Sequence, residues 1–443
     1  MDTNINIRVF DRDINFLGEV DDFTSLFYIR KWETYGEFEF HLSTIDRSII
    51  KKGNIIMLNK DGNRAGVIEY IGINEESTSD ITVKGFSLLY WLSQRITVPP
   101  VGYAYHSFNT NIEDIMLALV KANAVDPLDV KRKIPKLVGD ISKNRGEKLQ
   151  FQTRYKNLAD ELTKLSKVSG LGFTIDLDFK NKQFVFRVLE GKDLSYGQDI
   201  NPPAIFSTDY DNISKQNYIE SDIGYKNVGY VAGQGEGEDR KIEIIRNELS
   251  GLDRRETFID ARDINEGDSL IDRGKLKLSE VQQIQSFECE VDDKEYRKTW
   301  NLGDIVTTLN KRLVIRADNR VIEIREVYEN NGVKVEPTFG STIPTLGEKI
   351  KQNEDNPLQE GVKGVDGPPG PPGQPGYSIN YDWQGTSLGI KREDENSYNY
   401  INLIGPQGPR GIPGENGKDG TQIITSAQRP SGQINGRVWI QLI

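Results

Sequence analysis

In the segment EFEFHL, Phe38, Phe40 and Leu42 alternate with Glu37, Glu39 and His41, the period of two that marks a strand with one buried face. Similar runs follow at NIIML, RAGVIEYIGI and DITVKG, with the turn signal KDGNRAG between two of them. GFSLLYWLSQRI then carries an apolar set at helical spacing, and Pro99 and Pro100 close the segment. In TNIEDIMLALVKANA, Ile112, Ile115, Met116, Leu119 and Val120 predict an amphipathic helix over 110–124, with Thr110 or Asn111 as N-cap. NLADELTKLSKVSG predicts a second helix, with Leu158, Leu162 and Leu165 on one face and a stop at Gly170. GFTIDLD and KQFVFRVLEG read as a hairpin. From Ile205 to Phe339 the pattern is again mostly β, at KNVGYVAG, RKIEIIR, QSFECEV, DIVTTL and RVIEIREVYENNGVKVEPTFG, with a helix expected near Asp268 to Val281. The pattern predicts a mixed α+β, β-dominated chain, with β segments on both sides of a helical insert.

After Phe339 the pattern changes. STIPTLGEKIKQNEDNPLQE is polar, with a short helix expected around Thr345 to Gln352. Glycine then recurs at every third position, at Gly361, Gly364, Gly367, Gly370, Gly373 and Gly376, and again at Gly405, Gly408, Gly411, Gly414, Gly417 and Gly420. A collagen triple helix imposes this register, because only hydrogen fits at the axis where three chains meet. A flexible Pro/Gly linker has no reason to keep phase over two separate blocks. Each chain supplies one strand per block, so the register predicts a homotrimer with a thin rod, each block about 50 Å long at about 3.1 Å per residue. Between the blocks, Tyr377, Ile379, Tyr381 and Trp383 alternate, as do Tyr398 and Tyr400 against Ile401 and Leu403, which predicts three short strands. So small a β unit has too little core to stand alone, and three copies packing together is the economical solution. The terminal GRVWIQLI is apolar to its last residue and would be an exposed strand in a monomer.

Length and composition narrow the reading. At 443 residues and 50.1 kDa the chain has room for two or three cores. Its net charge of −11 argues against a surface built to grip phosphate backbones or anionic lipid, so no sequence-specific nucleic-acid partner is expected. The N-terminal stretch lacks a basic and an apolar region of the secretory kind, and no apolar run is long enough to insert in a membrane. One cysteine, Cys289, makes an intramolecular disulfide impossible, which fits folding in a reducing cytoplasm.

The candidate chemistry is sparse, and neither an enzyme nor a bound cofactor or metal is expected. His41 sits on the polar side of a strand and His106 in a Gly/Tyr-rich loop. Neither an HExxH nor a GxSxG motif occurs, and Cys289 alternates with Phe287 and Val291 as a small buried residue. The pairs Asp21 with Asp22, Asp176 with Asp178, and Asp292 with Asp293 read as solvated turn residues before glycosidase carboxylates. GQGEGEDR, Gly233 to Arg240, lies between two strands and carries three acids, so it reads as an acidic hairpin loop and not as a phosphate cradle. DRDINFLGEVD, Asp11 to Asp21, has Phe16 where a calcium loop needs glycine, and reads as a hairpin turn. Trp383 and Trp439, with nearby tyrosines, are the candidate contacts to a cell-surface polysaccharide, although core packing is the commoner fate of such rings.

IRKWETYGEFEFHL, GVIEYI, VKGFSLLYWLSQRI, GYVAGQGEGEDRKIEI, GLDRRETFIDARDI and NLGDIVT occur in that order over about residues 5–310, and together they resemble the siphophage tail-tip (baseplate) hub family of prophage tail proteins. The C-terminal part is similar to collagen-containing phage tail-fibre segments, in which inserts of the type NYDWQGTSLGIKRED separate Gly-X-Y blocks. The resemblance implies barrel-like hub domains, two per subunit, with three subunits forming a ring that caps the tail tube. It implies partners among tail-tube, distal tail and other baseplate proteins, and a place in the virion tail, assembled in the bacterial host cytoplasm. An acidic ring lumen would let DNA pass by repulsion. Where some hubs continue into a peptidase or muramidase, this chain continues into Gly-X-Y. The expected organisation is a hub body at 1–345 with its helical insert at about 107–200, and a linker at 346–360. Collagen-like blocks at 361–376 and 405–420 then alternate with trimeric β modules at 377–404 and 421–443. The expected function is a trimeric structural hub that projects a collagen-like fibre toward the host. The rival readings are a receptor-binding fibre and a tail-associated cell-wall hydrolase.

Overall fold

The computed structural model describes residues 5–74, 80–264, 268–291, 294–329, 332–341, 378–403, 422–426 and 437–441. By its contacts the chain divides into two compact units, Met1–Pro357 and Leu358–Ile443. As the alternation predicts, strands dominate both.

The first unit opens with β1 (Ile7–Phe10), β2 (Phe16–Val20), β3 (Phe23–Lys31), β4 (Glu37–Leu42), β5 (Ile55–Leu58), β6 (Ala65–Asn74) and β7 (Asp80–Ser87). They pair in the order β3-β4-β7-β6-β5-β1-β2. All four residues of β5 are buried, and the reason is that both faces of its sheet are covered. Ile56 and Leu58 join Ile7, Val9, Phe38 and Phe40 in one core, while Ile55 and Met57 join a second core built with the insert. Each such side chain contributes about 1.5–3 kcal/mol by leaving water.

The insert comprises α1 (Tyr90–Ser93), β8 (His106–Asn111), α2 (Ile112–Val120), β9 (Leu137–Gly139), β10 (Lys148–Thr153), α3 (Leu158–Ser169), β11 (Gly172–Asp178) and β12 (Gln183–Leu189). β8 pairs with β10, and β11 forms the expected hairpin with β12. Asn111 caps α2, its side chain accepting from the Asp114 amide at 2.9 Å. The periodic face of α2 is buried at Ile112, Ile115, Met116, Leu119 and Val120, and the helix passes into a π turn at Lys121–Val125. Asn157 caps α3, which stops at Gly170 with φ of 73°. The helix expected across 85–96 shrinks to the single turn α1. Gly85, Phe86 and Ser87 remain paired to β4 and β6, so the chain is free to coil only after Ser87.

β13 (Asp193–Leu194), β14 (Ile205–Phe206) and β15 (Ile213–Ser221) begin the second half of the large sheet. An excursion of β16 (Val228–Ala232), β17 (Ile242–Ile245), β18 (Glu256–Asp260) and α4 (Leu270–Leu278) follows, with its own small core around Val231, Ile259, Ile264 and Leu270. Ser269 caps α4 by accepting from the Asp272 amide at 3.1 Å. β19 (Ile284–Val291), β20 (Ile305–Asn310), β21 (Ile315–Glu329) and β22 (Gly332–Gly340) complete the half, over a core that includes Phe206, Phe287, Trp300 and Phe339. Antiparallel pairing of β3 with β21 fuses the two halves into one 14-stranded sheet.

The seam carries a buried ionic cluster. Glu326 on β21 is fully buried and accepts from Arg64 Nη1 at 3.0 Å, from the Tyr296 hydroxyl at 2.7 Å and from the Tyr328 hydroxyl. Arg30 on β3 donates to Asn63 at 2.6 Å and to Asn301 at 2.8 Å, with its Nε 3.8 Å from Glu326. Asp61 accepts from Arg64 at 2.9 Å and from Arg297, and Asn63 reaches Asp176 on β11 at 2.9 Å. Beside it Trp32 donates its indole N–H to the Gly170 carbonyl at 3.0 Å. Glycine is required against that ring: a Cβ on Gly172 would fall 2.4 Å from it and one on Gly303, where φ is +92°, would fall 2.1 Å from it. First half, insert and second half therefore meet around Arg30, Trp32 and Glu326.

The second unit contains β23 (Ile379–Gln384), β24 (Ser387–Arg392) and β25 (Asn399–Asn402), paired in that order, and a parallel pair of β26 (Gln422–Ser426) and β27 (Arg437–Gln441). The expected helix at Thr345–Gln352, the linker at 346–360 and both glycine blocks lie outside the described residues.

Burial alone would raise the Glu326 pKa, but the Arg64 and Arg30 guanidiniums and two tyrosine hydroxyls outweigh it and hold the carboxyl below its ordinary 4.5. A depressed carboxyl contributes stability that is complete above the unfolded value and is lost as pH falls through the folded one. Glu326→Gln is therefore expected to cost about 3–5 kcal/mol at pH 7, the range for removing one partner of a buried pair. The variant should also lose the part of the acid sensitivity that sets in below about pH 4.5. Denaturant titrations of both proteins at pH 7 and pH 4 check this: an unchanged midpoint at pH 7, or an equal loss on acidification, contradicts it.

Candidate interaction surfaces

The residues singled out for chemistry are placed in structural roles. His41 lies on the outward side of β4 between buried Phe40 and Leu42, with its ring 2.9 Å from Glu39. His106 is the first residue of β8 and not part of a loop, because the strand pairing extends to its contact with Thr153. Its ring packs 4.3 Å from that of Phe108, and burial lowers its pKa. Cys289 is buried on β19, and burial pushes its thiol pKa up. Asp176 is taken up by Asn63 at 2.9 Å and Arg187 at 2.5 Å, while Asp178 closes its own turn with Asn181. Asp21 and Asp22 are exposed between β2 and β3, and Asp292 and Asp293 lie outside the described residues.

Both loops rejected as ligand sites are hairpin connections. Asp11 accepts from the amides of Asp13 and Asn15 at 2.9 and 2.8 Å, which folds the turn between β1 and β2. In the 233–240 loop Arg240 donates to the carbonyls of Gly233 and Ala232 at 2.9 and 3.0 Å and to Asp260 at 2.6 Å, so the chain's own arginine ties the acidic loop down. Among the described residues no cluster of His, Cys, Asp and Glu is arranged to hold a metal ion, and no helix is long and apolar enough to cross a membrane.

A crevice of about 390 Å³ opens where the halves and the insert meet, beside Arg30, Trp32, Asn63, Lys192, Trp300 and Asn301. Its lining contains neither histidine nor cysteine, and Arg30 is committed to the seam. The crevice belongs to the joint.

Surface remains in three places. Among the described residues the main path of the large sheet ends in β2 and β15, each paired on one side only, and the short β13 and β14 each pair only with β20. On the excursion, register places Ile244 and Phe258 on either side of Tyr230, all on the face away from α4, with Ile244 and Phe258 exposed. In the second unit Trp383 is exposed on β23, in register with Leu388, which in turn pairs with Ile401. Trp439 lies in β27. The twelve glycines of the two Gly-X-Y blocks lie outside the described residues.

Sequence reading missed Glu326 and Glu113. Ile322, Ile324 and Tyr328 face inward on β21, and the same phase carries Glu326 inward. Glu113 stands in the first turn of α2, yet it is buried and accepts from Arg145 at 2.6 Å and from the amides of Lys143 and Arg145 at 3.0 and 2.8 Å.

Residues 6–341 match the family model described as Siphovirus ReqiPepy6 Gp37-like protein. The chain belongs to that family. No curated protein matches it. Among solved structures it is similar to the 43 kDa tail protein of prophage MuSo2 from Shewanella oneidensis, at 14% identity and a TM-score of 0.49, covering 75% of this chain and 98% of that one. The tail protein from Neisseria meningitidis MC58 gives 14% identity and 0.49, over 76% and 97%. Prophage tail protein gp18 from Listeria monocytogenes EGD-e gives 14% and 0.49, over 79% and 98%.

Cys289 combines burial with a raised pKa, so the native Gp37-like chain is expected to leave a disulfide-exchange reagent unreacted over the time in which the unfolded chain releases one equivalent. Stoichiometric reaction of the native protein at neutral pH would contradict the core role.

Proposed function

We propose that this Gp37-like tail protein is a trimeric tail-tip hub. Its body binds tail-tube, distal tail and other baseplate proteins, and its C-terminal part projects a collagen-like fibre toward the host surface. The observation that carries the reading is the glycine register: two blocks of six in-phase glycines follow a body of the siphovirus tail family, and such a register is a packing demand that only three chains meet. The body supplies support of a different kind. The single-partner strands β2 and β15 present unpaired backbone groups of the sort that neighbouring subunits cover in a closed ring. Each half of the sheet forms one hub domain, with the helical insert between them. The role is structural, and no hydrolytic step is assigned.

Light scattering after size exclusion, on the full chain and on a truncation after Pro357, is the deciding experiment. A full-length mass of about 150 kDa, three times 50.1 kDa, is expected. A full-length monomer would overturn the trimeric reading. Gly370→Ala would put three methyl groups at the axis, and is expected to lower the thermal transition and protease resistance of the tail while leaving the body transition in place. An unchanged tail transition would favour a flexible linker.

A further inference from the structure

The sheet formed by β23, β24 and β25 has two chemically different faces, and only one of them is satisfied. On one, the Tyr400 hydroxyl donates to Asp382 at 2.6 Å, Gln384 donates back to that hydroxyl at 2.8 Å, and the Tyr400 ring lies over Gly389, where a Cβ would fall 2.6 Å from it. Lys391 sits 5.0 Å from the centre of the Tyr398 ring on the same side. The other face carries Ile379, Tyr381, Trp383, Ile390, Ile401 and Leu403, each between 44% and 73% exposed. Register makes them one stripe: Tyr381 pairs with Ile390, and Trp383 with Leu388, which pairs with Ile401. Polar side chains enter this face only at the end by the 393–398 turn, as Asn399 and as Arg392, which Asp394 holds at 2.9 Å.

A stripe of this kind on strands of four to six residues, with no helix or second sheet over it among the described residues, is half a core. The missing half must be apolar, must lie within a few residues of both ends of the module, and must come in a number that the flanking chain dictates. Gly376 precedes Ile379 by three residues and Gly405 follows Leu403 by two. Any packing that meets the glycine register on both sides brings three copies of this module to one axis. We propose that the stripe packs against the same stripe of two further copies of this chain, closing a three-walled apolar prism within the fibre. The inference rests on the trimeric reading above. It buries Trp383 and Tyr381 and turns the polar face with Tyr400, Asp382 and Gln384 outward, so the tryptophan considered for sugar contact becomes core.

The test uses the full chain. The emission of Trp383, obtained by subtracting the spectrum of Trp383→Phe from that of the wild type, is expected to be blue-shifted and shielded from acrylamide. Ile401→Asp places three carboxylates inside the prism and is expected to abolish that shielding and lower the tail transition. Asn380→Asp, on the opposite face, is expected to change neither. If the wild type weighs as a monomer, the trimeric reading itself fails. If it weighs as a trimer while Trp383 is quenched as freely as an exposed tryptophan and Ile401→Asp changes nothing, this inference fails alone. Binding of host envelope that Trp383→Phe abolishes in a trimer would place the ring outward and overturn it as well.

Discussion

Glu326 is a carboxylate with no exposed surface, placed on the pair of strands that, among the described residues, joins the two halves of the body. The rest of the first unit depends on how that charge is met. In an antiparallel pair, slipping the register by one residue sends every side chain to the opposite face. Between β3 and β21 such a slip would turn Glu326 to solvent and bring Arg325 or Val327 inward, stranding Arg64 and Arg30 without their carboxylate. A uniformly apolar seam of equal volume would be at least as stable by burial alone. What the ionic cluster adds is selectivity among registers, because only one alignment leaves Arg64, Tyr296, Tyr328 and Glu326 mutually bonded.

That selectivity extends through the molecule by way of short turns. Asp61, Asn63 and Arg64 belong to one turn between β5 and β6, and they reach Arg297 in the second half and Asp176 in the insert. Trp32, two residues from Arg30, fills the space left by Gly172 and Gly303. Each contact is local, yet together they make the relative placement of the two halves a property of the buried core and not of a flexible connection. A chain built in this way has edges of fixed geometry, which is what the proposed ring of identical subunits would require.

Alternation made the strands of both halves legible, and helical spacing, with a cap at Thr110 or Asn111 for α2 and a stop at Gly170 for α3, made those helices legible to within a few residues, because those signals are carried by neighbours in sequence. The length of α1 was not legible, since strand pairing with β4 and β6 consumes residues that helical spacing alone assigns to a helix. Glu326 and Glu113 were hidden for a related reason. A carboxylate in an inward phase looks like an ordinary surface acid until its partners, Arg64 from 262 positions away or Arg145 from 32, are seen beside it. Of the candidate surfaces, the alternation at Ile379, Tyr381 and Trp383 was plain in sequence. Whether β24 and β25 add to that face or oppose it is fixed by pairing, which puts Ile390 and Ile401 on it and Tyr400 on the other side.

The two units meet the same demand by opposite means. In the body β5 finds its cover within the chain: it is buried on both sides, Ile55 and Met57 against the insert and Ile56 and Leu58 against other strands of its own half. In the β23–β25 module nothing among the described residues plays the part of that insert, and the residues that would need it are as apolar as those of β5. A chain whose charge is −11 has ample means to make a solvent face acidic, and does so along the 393–395 turn a few residues away. On the trimeric reading proposed above, an uncovered apolar face held between two stretches with glycine at every third position is a division of labour: the body is completed by its own sequence, and the β23–β25 module by two further copies of itself.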